Sequence, residues 1–234
     1  MRSGLGAVLV LLTLAASLQA EQLATVVRGG AGGCHAVALT FDLCPVRKAP
    51  GFDAALVALL ESRQVPTTFF ASGRWIAAHD AEVRRLLAVP FFELGTHGQR
   101  HRHLPALDPA AQRAEILGPV ELLATRYGVR SSLFRAPYGE FDDHTRAIVA
   151  DVGLRMVEWS VVSGDPDPQL AAATMLRGLR AEVRDGSIVV FHANAKGVHT
   201  REVVETLLRD VLPERGLAPR TVSQLLDGCH AGGS

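Results

Sequence analysis

The sequence has no excess of either charge: 24 Lys and Arg residues face 24 Asp and Glu. A neutral chain gives a polyelectrolyte nothing to grip, so nucleic acid is not an expected partner. Beyond residue 20 no apolar run is long enough to cross a bilayer, and stable membrane insertion is not expected. Internal repeats, a low-complexity linker and any break in composition are also missing. The 234 residues therefore read as one large domain with a substantial core. The run Gly29-Gly30-Ala31-Gly32-Gly33 has no apolar strand before it, which argues against a nucleotide loop and leaves a flexible lead-in over 21–34. Cysteine is scarce, with only Cys34, Cys44 and Cys229. Three thiols allow one bridge with one left over, and joining Cys34 to Cys229 would tie the ends of a domain spanning 35–230.

What is present begins with residues 1–20. Arg2 supplies a charged start, Leu5 to Leu18 carry no charge, and Ala20 offers a cleavage position ahead of Glu21. This pattern reads as a secretory signal peptide, so the mature chain is expected to be exported to the periplasm or the medium. Export permits disulfides.

The rest alternates. Strands are predicted at 37–41, 67–70, 91–96, 132–134, 156–159 and 187–191, with a short one near Thr221. Helices are predicted at 53–62, 75–88, 108–127, 142–151, 169–183 and 200–212. Pro109 at a first helical position and Gly128 as a stop mark one of them clearly. About seven strand–helix alternations predict an α/β fold with a parallel sheet. A single-domain distorted (β/α)7 barrel is favoured over a doubly wound sheet, because polar residues follow many different strands instead of clustering at one switch point.

Those polar residues carry the chemistry. His97 and His101 follow a strand four residues apart, and a helical continuation would set both imidazoles on one face, able to hold a divalent metal, most often zinc. Asp42 ends the first strand. Arg135, in Arg135-Ala136-Pro137-Tyr138-Gly139, could orient a carboxylate bidentately. Asp165 closes Trp159-Ser160-Val161-Val162-Ser163-Gly164-Asp165, and His192 ends Val190-Phe191-His192. His35, His79, His144 and His230 have no motif around them and read as surface or satisfied core residues; His103 and His199 could rim a cleft.

In this order and spacing, the five segments resemble the polysaccharide deacetylases, carbohydrate esterase family four with its chitooligosaccharide-deacetylase homology domain, over about residues 35–228. The resemblance implies a distorted barrel that hydrolyses an N-acetyl group on a sugar of a glycan. By position it implies Asp42 as general base, Arg135 as its holder, His97 and His101 as metal ligands, His192 as general acid and Asp165 as that histidine's partner. It places a backbone N–H near Tyr138 against the oxyanion, and Trp159 and Val190 around the acetyl methyl. The chain departs from the family at Leu43, where the third metal ligand, an Asp, is usual. It departs again at Pro166, usually Trp, and at Val162, often Asp. Cys44 is a substitute ligand by chemistry, but a buried structural cysteine is the expectation. Two other readings remain: a carbohydrate-binding protein that has lost turnover, and the same fold acting on an O-acetyl ester or a small amide.

Overall fold

The computed structural model describes residues 23–47 and 50–228. Among the described residues nine strands form one sheet: β1 (Val26–Val27), β2 (Ala36–Leu43), β3 (Thr67–Ala71), β4 (Phe92–Thr96), β5 (Leu133–Phe134), β6 (Arg155–Val157), β7 (Val161–Val162), β8 (Ile188–His192) and β9 (Ala218–Arg220). Their order is β1-β6-β5-β4-β3-β2-β8-β7, with β9 added to β2, and every strand pair is parallel. Helices cover the outside: α1 (Ala54–Ser62), α2 (Gly73–Ala78), α3 (Asp80–Ala88), α4 (Pro109–Tyr127), α5 (Asp143–Asp151), α6 (Ala172–Glu182) and α7 (Thr200–Thr206).

The connection from β6 to β7 forces the sheet to curl. In a flat sheet these strands would lie six spacings apart, ~29 Å at ~4.8 Å each. Only residues 158–160 join them, and four Cα steps reach at most ~14 Å. The sheet is therefore a curled half-barrel with helices, in one domain, of the (β/α)7 type expected.

β2 lies at its centre and is buried along its whole length. Its side chains alternate. Val37, Leu39, Phe41 and Leu43 join the main core under the helices with Phe69, Leu56 and Phe191. Ala36 and Ala38 face the other way, into a second cluster, and Thr40 and Asp42 share that inner face by the same parity. Phe41 stacks on Phe191 with ring centroids 5.4 Å apart, an arrangement that adds roughly 0.5–1.5 kcal/mol to its burial.

Several elements differ from the sequence reading. The helix expected over 75–88 is two, α2 and α3, broken at His79, whose backbone leaves the helical region. Part of the expected lead-in pairs with the sheet. Val26 and Val27 form β1 alongside β6, and Gly29 bridges Ser187. The glycines permit this approach: a Cβ on Gly186 would lie 2.6 Å from the Gly30 carbonyl oxygen. Helix α7 passes through a wider turn at Leu207–Val211 before ending. Cys34 is disulfide-bonded and Cys44 is a free thiol; the expected partner, Cys229, lies outside the described residues, as do His230 and the expected signal peptide. No described helix is long and apolar enough to cross a membrane.

Candidate active site

Strand register sets the site at one level. Asp42 pairs with His192 across β2 and β8, and Thr96 pairs with Phe134 across β4 and β5, so the next residues, His97 and Arg135, leave the sheet together. Asp42, His97, His101, Tyr138, Trp159, Asp165, Val190 and His192 all line one cavity of about 330 Å³ at the carboxyl ends of the strands, with Cys44 among them. Arg135 is fully buried beside it.

Two charge pairs are built there. Arg135 donates from one terminal nitrogen to Asp42 Oδ1 at 2.7 Å. The expected bidentate fork is not formed, because the other terminal nitrogen donates to the Glu158 carbonyl at 3.4 Å and Nε to the Val157 carbonyl at 3.3 Å. Arg135 is thus tied to β6 while presenting one nitrogen to the carboxylate, with the Phe70 ring 4.0 Å beneath its guanidinium. Burial pushes the Asp42 pKa up, but Arg135 and the neighbouring histidines outweigh it and hold the pKa below the ordinary value. In the second pair, His192 Nδ1 lies 2.9 Å from Asp165 Oδ1. Asp165 is itself fixed: it accepts from Ser163 Oγ, Thr200 Oγ1 and the His192 backbone N–H. Burial works to lower the His192 pKa, but the hydrogen bond to Asp165 prevails and raises it to about 10.

The histidine pair is not helical. Residues 97–103 form a loop in which Gly98 and His101 both take positive φ, 70° and 59°, and this bend, not helical periodicity, brings the imidazole centroids to 4.8 Å. The loop is clamped. Gly73 N–H donates to the Gly98 carbonyl and Arg74 N–H to the Gln99 carbonyl, while the buried Glu115 of α4 accepts the Arg100 N–H at 2.8 Å. Gly73 and Gly118 make room for the Gln99 amide; a Cβ at Gly73 would lie 1.9 Å from its oxygen. His97 Nδ1 sits 3.0 Å from the Arg135 carbonyl. That contact calls for a proton on Nδ1 and leaves Nε2, 3.5 Å from Asp42 Oδ2, as the nitrogen facing inward. Burial works to lower the imidazole's pKa, but Asp42 and Cys44 prevail and raise it to about 8, so Nε2 must give up a proton to bind a metal.

Position 43 resolves by parity. Leu43 is fully buried in the main core and does not reach the mouth. The next residue, Cys44, does. Its Sγ and one nitrogen each of His97 and His101 all lie within 4.8 Å of one another. Cys44 is buried as expected of a structural cysteine, but it faces the histidines, which corrects that expectation. Burial raises the thiol pKa, yet hydrogen bonds from His101, His192 and His97 bring it well below the usual value. One thiolate and two imidazoles within reach of one point are a donor set suited to zinc, so the residues present fit a metal. The signal in the sequence was the period of two along β2, which separates Cys44 from Leu43.

Above this set the cavity is apolar on one side, with Trp159, Val162, Pro166 and Val190. Tyr138, with φ 62°, is exposed at the mouth and stacks on His103 at 4.1 Å. His103 touches that ring and Glu140 but does not itself line the cavity. His79, by contrast, is satisfied within the fold, bonded to the Trp75 carbonyl and stacked on that indole. Glu158, not singled out from the sequence, is a buried carboxyl beside Arg135.

The polysaccharide deacetylase family profile matches residues 29–157, and the chain belongs to that family. It is 35% identical over 170 residues to an uncharacterised protein of Streptomyces coelicolor, covering 70% of this chain and 64% of that one. It is 30% identical over 188 residues to a chitooligosaccharide deacetylase of Bradyrhizobium, covering 78% and 81%. Among solved structures it resembles a pseudoenzyme of carbohydrate esterase family 4 from Bacillus anthracis, with a TM-score of 0.77 and 21% identity over 87% of this chain and 69% of that one, a likeness of fold.

Proposed function

We propose that this protein is an exported, zinc-dependent hydrolase that removes N-acetyl groups from a glycan containing N-acetylglucosamine. The observation that carries the reading is the meeting of three elements in one cavity: the Asp42–Arg135 pair, the His192–Asp165 pair and the Cys44, His97 and His101 donors. A protein that only bound sugar would have no use for a held base, a held acid and a metal set together.

Cys44, His97 and His101 would hold the metal, which when bound supplies Lewis acidity for the attack of water on an amide carbonyl. Asp42, kept ionised by Arg135, accepts the proton that the attacking water loses. The Tyr138 backbone N–H would steady the developing oxyanion. His192, held protonated by Asp165, delivers a proton to the departing amine, without which the carbon–nitrogen bond does not break readily. Trp159 and Val190 enclose the acetyl methyl and exclude water around it. The expected departures at Pro166 and Val162 fall on this wall and keep it apolar, which suits an acetyl group.

Assaying acetate released from a panel of chitin oligomers, peptidoglycan and acetylated esters, with chelator and with zinc restored, tests the reading. Zinc-restored release from an N-acetylated glycan is expected. Glycan binding with no acetate under any metal condition would favour a binding protein instead, and release from esters alone would favour an esterase.

A further inference from the structure

Glu158 stands on the short crossing between β6 and β7, where the sheet closes its curl, and both of its ends grip the segment that carries Arg135. Its Oε1 accepts the Ala136 N–H at 3.1 Å, and its carbonyl accepts from Arg135 at 3.4 Å. A Cβ on Gly139 would lie 3.5 Å from Oε2, so the carboxyl backs directly onto the turn Pro137–Gly139. The residue is 2% exposed, and Oε2 is a buried atom without a hydrogen-bond partner. A buried carboxyl left half satisfied is costly, and an apolar residue would fill the space at less expense. The charged groups facing it are Arg135 from the end of β5, His97 from the end of β4 and Asp42 from β2. Arg135 thus touches the Asp42 carboxylate with one terminal nitrogen and the Glu158 backbone carbonyl with the other.

We propose that Glu158 is a positioning residue for the deacetylation assigned above: its carboxyl and its backbone carbonyl hold residues 135–139 in place, and with them the nitrogen that Arg135 presents to Asp42. The inference rests on that functional reading for its kinetic consequence, but its structural half does not. Burial pushes the Glu158 carboxyl up to about 7 against the opposing pull of Arg135, which puts the change of state within the working range of pH.

The test uses the zinc-loaded protein and the variants Glu158→Gln and Glu158→Ala. In the wild type, the Ala136 backbone amide followed by NMR across pH is expected to titrate with a midpoint above the ordinary carboxylate range, and in Glu158→Gln that response disappears. In kinetics, Glu158→Ala is expected to lower kcat by about tenfold or more, roughly 1.4 kcal/mol of barrier, with KM little changed. Glu158→Gln, which keeps an acceptor for Ala136, restores most of kcat. An Ala136 amide indifferent to pH would overturn the proposal, as would Gln and Ala variants that lose kcat equally. A wild type that releases no acetate removes the functional reading alone, because the Ala136 titration still decides the role of Glu158.

Discussion

Along β2, Thr40, Asp42 and Cys44 turn towards the barrel interior while Phe41 and Leu43 pack under the helices. Restoring a carboxylate at position 43 would bury a charge in the main core instead of adding a metal ligand. Leu43→Asp is expected to cost more than about 3 kcal/mol of stability, measured by denaturant unfolding, with no gain in zinc affinity. Cys44→Ala, by contrast, removes a donor and is expected to weaken zinc by more than the ~10–100-fold typical of groups outside the coordination sphere, with the unfolding midpoint of the metal-free protein little changed. Under the proposed mechanism, the pair Asp165–His192 sets the alkaline side of the pH dependence. His192 is raised from 6.5 to about 10 chiefly by its bond to Asp165, against its burial. It is thus charged below that value and loses its proton only as pH rises through it. Asp165→Asn removes the raising contact, so the alkaline limb of the pH–rate profile is expected to move to lower pH, with a loss of kcat on the order of 10²-fold.

The elements explain why the loop between β4 and α4 can be so irregular and still hold two histidines in place. Its backbone is pinned by α2 from one side and by Glu115 of α4 from the other. Glu115→Ala removes the acceptor of the part-buried Arg100 N–H, a loss of ~0.5–1.5 kcal/mol, the usual net worth of a hydrogen bond. Hydrogen exchange is expected to rise over 97–103 with the β2 core still protected, and zinc affinity to fall with it. The sequence carried the helix boundaries wherever a cap or a breaker spoke locally, as at Asp108, Pro109 and Gly128. It did not carry the loop conformation, because a positive φ at His101 is imposed by packing and not by the residue's own preference. Nor did it carry β1: two valines beside a glycine run have no pattern long enough to read as a strand, and they become one by pairing with β6.

At the scale of the molecule, alternation of strands and helices was enough to anticipate a barrel, and the order of the five motifs was enough to anticipate the family. Asp42, Arg135, Asp165 and His192 were legible because each ends a strand or opens the loop after it, where a barrel presents its chemistry. Cys44 was underrated because a lone buried cysteine is ordinary in sequence and becomes a donor only when parity and register set it against His97 and His101. Glu158 was missed altogether, since its meaning lies in the closure between β6 and β7, a contact between distant parts of the sheet. The proposed chemistry depends on a metal held by sulfur and nitrogen within a working hydrolytic site. X-ray absorption at the zinc edge of the loaded protein reads that directly. The expected spectrum contains one sulfur neighbour at ~2.3 Å and imidazole nitrogens at ~2.0–2.1 Å, the sulfur vanishing in Cys44→Ala. A first shell of nitrogen and oxygen alone in the wild type would contradict it.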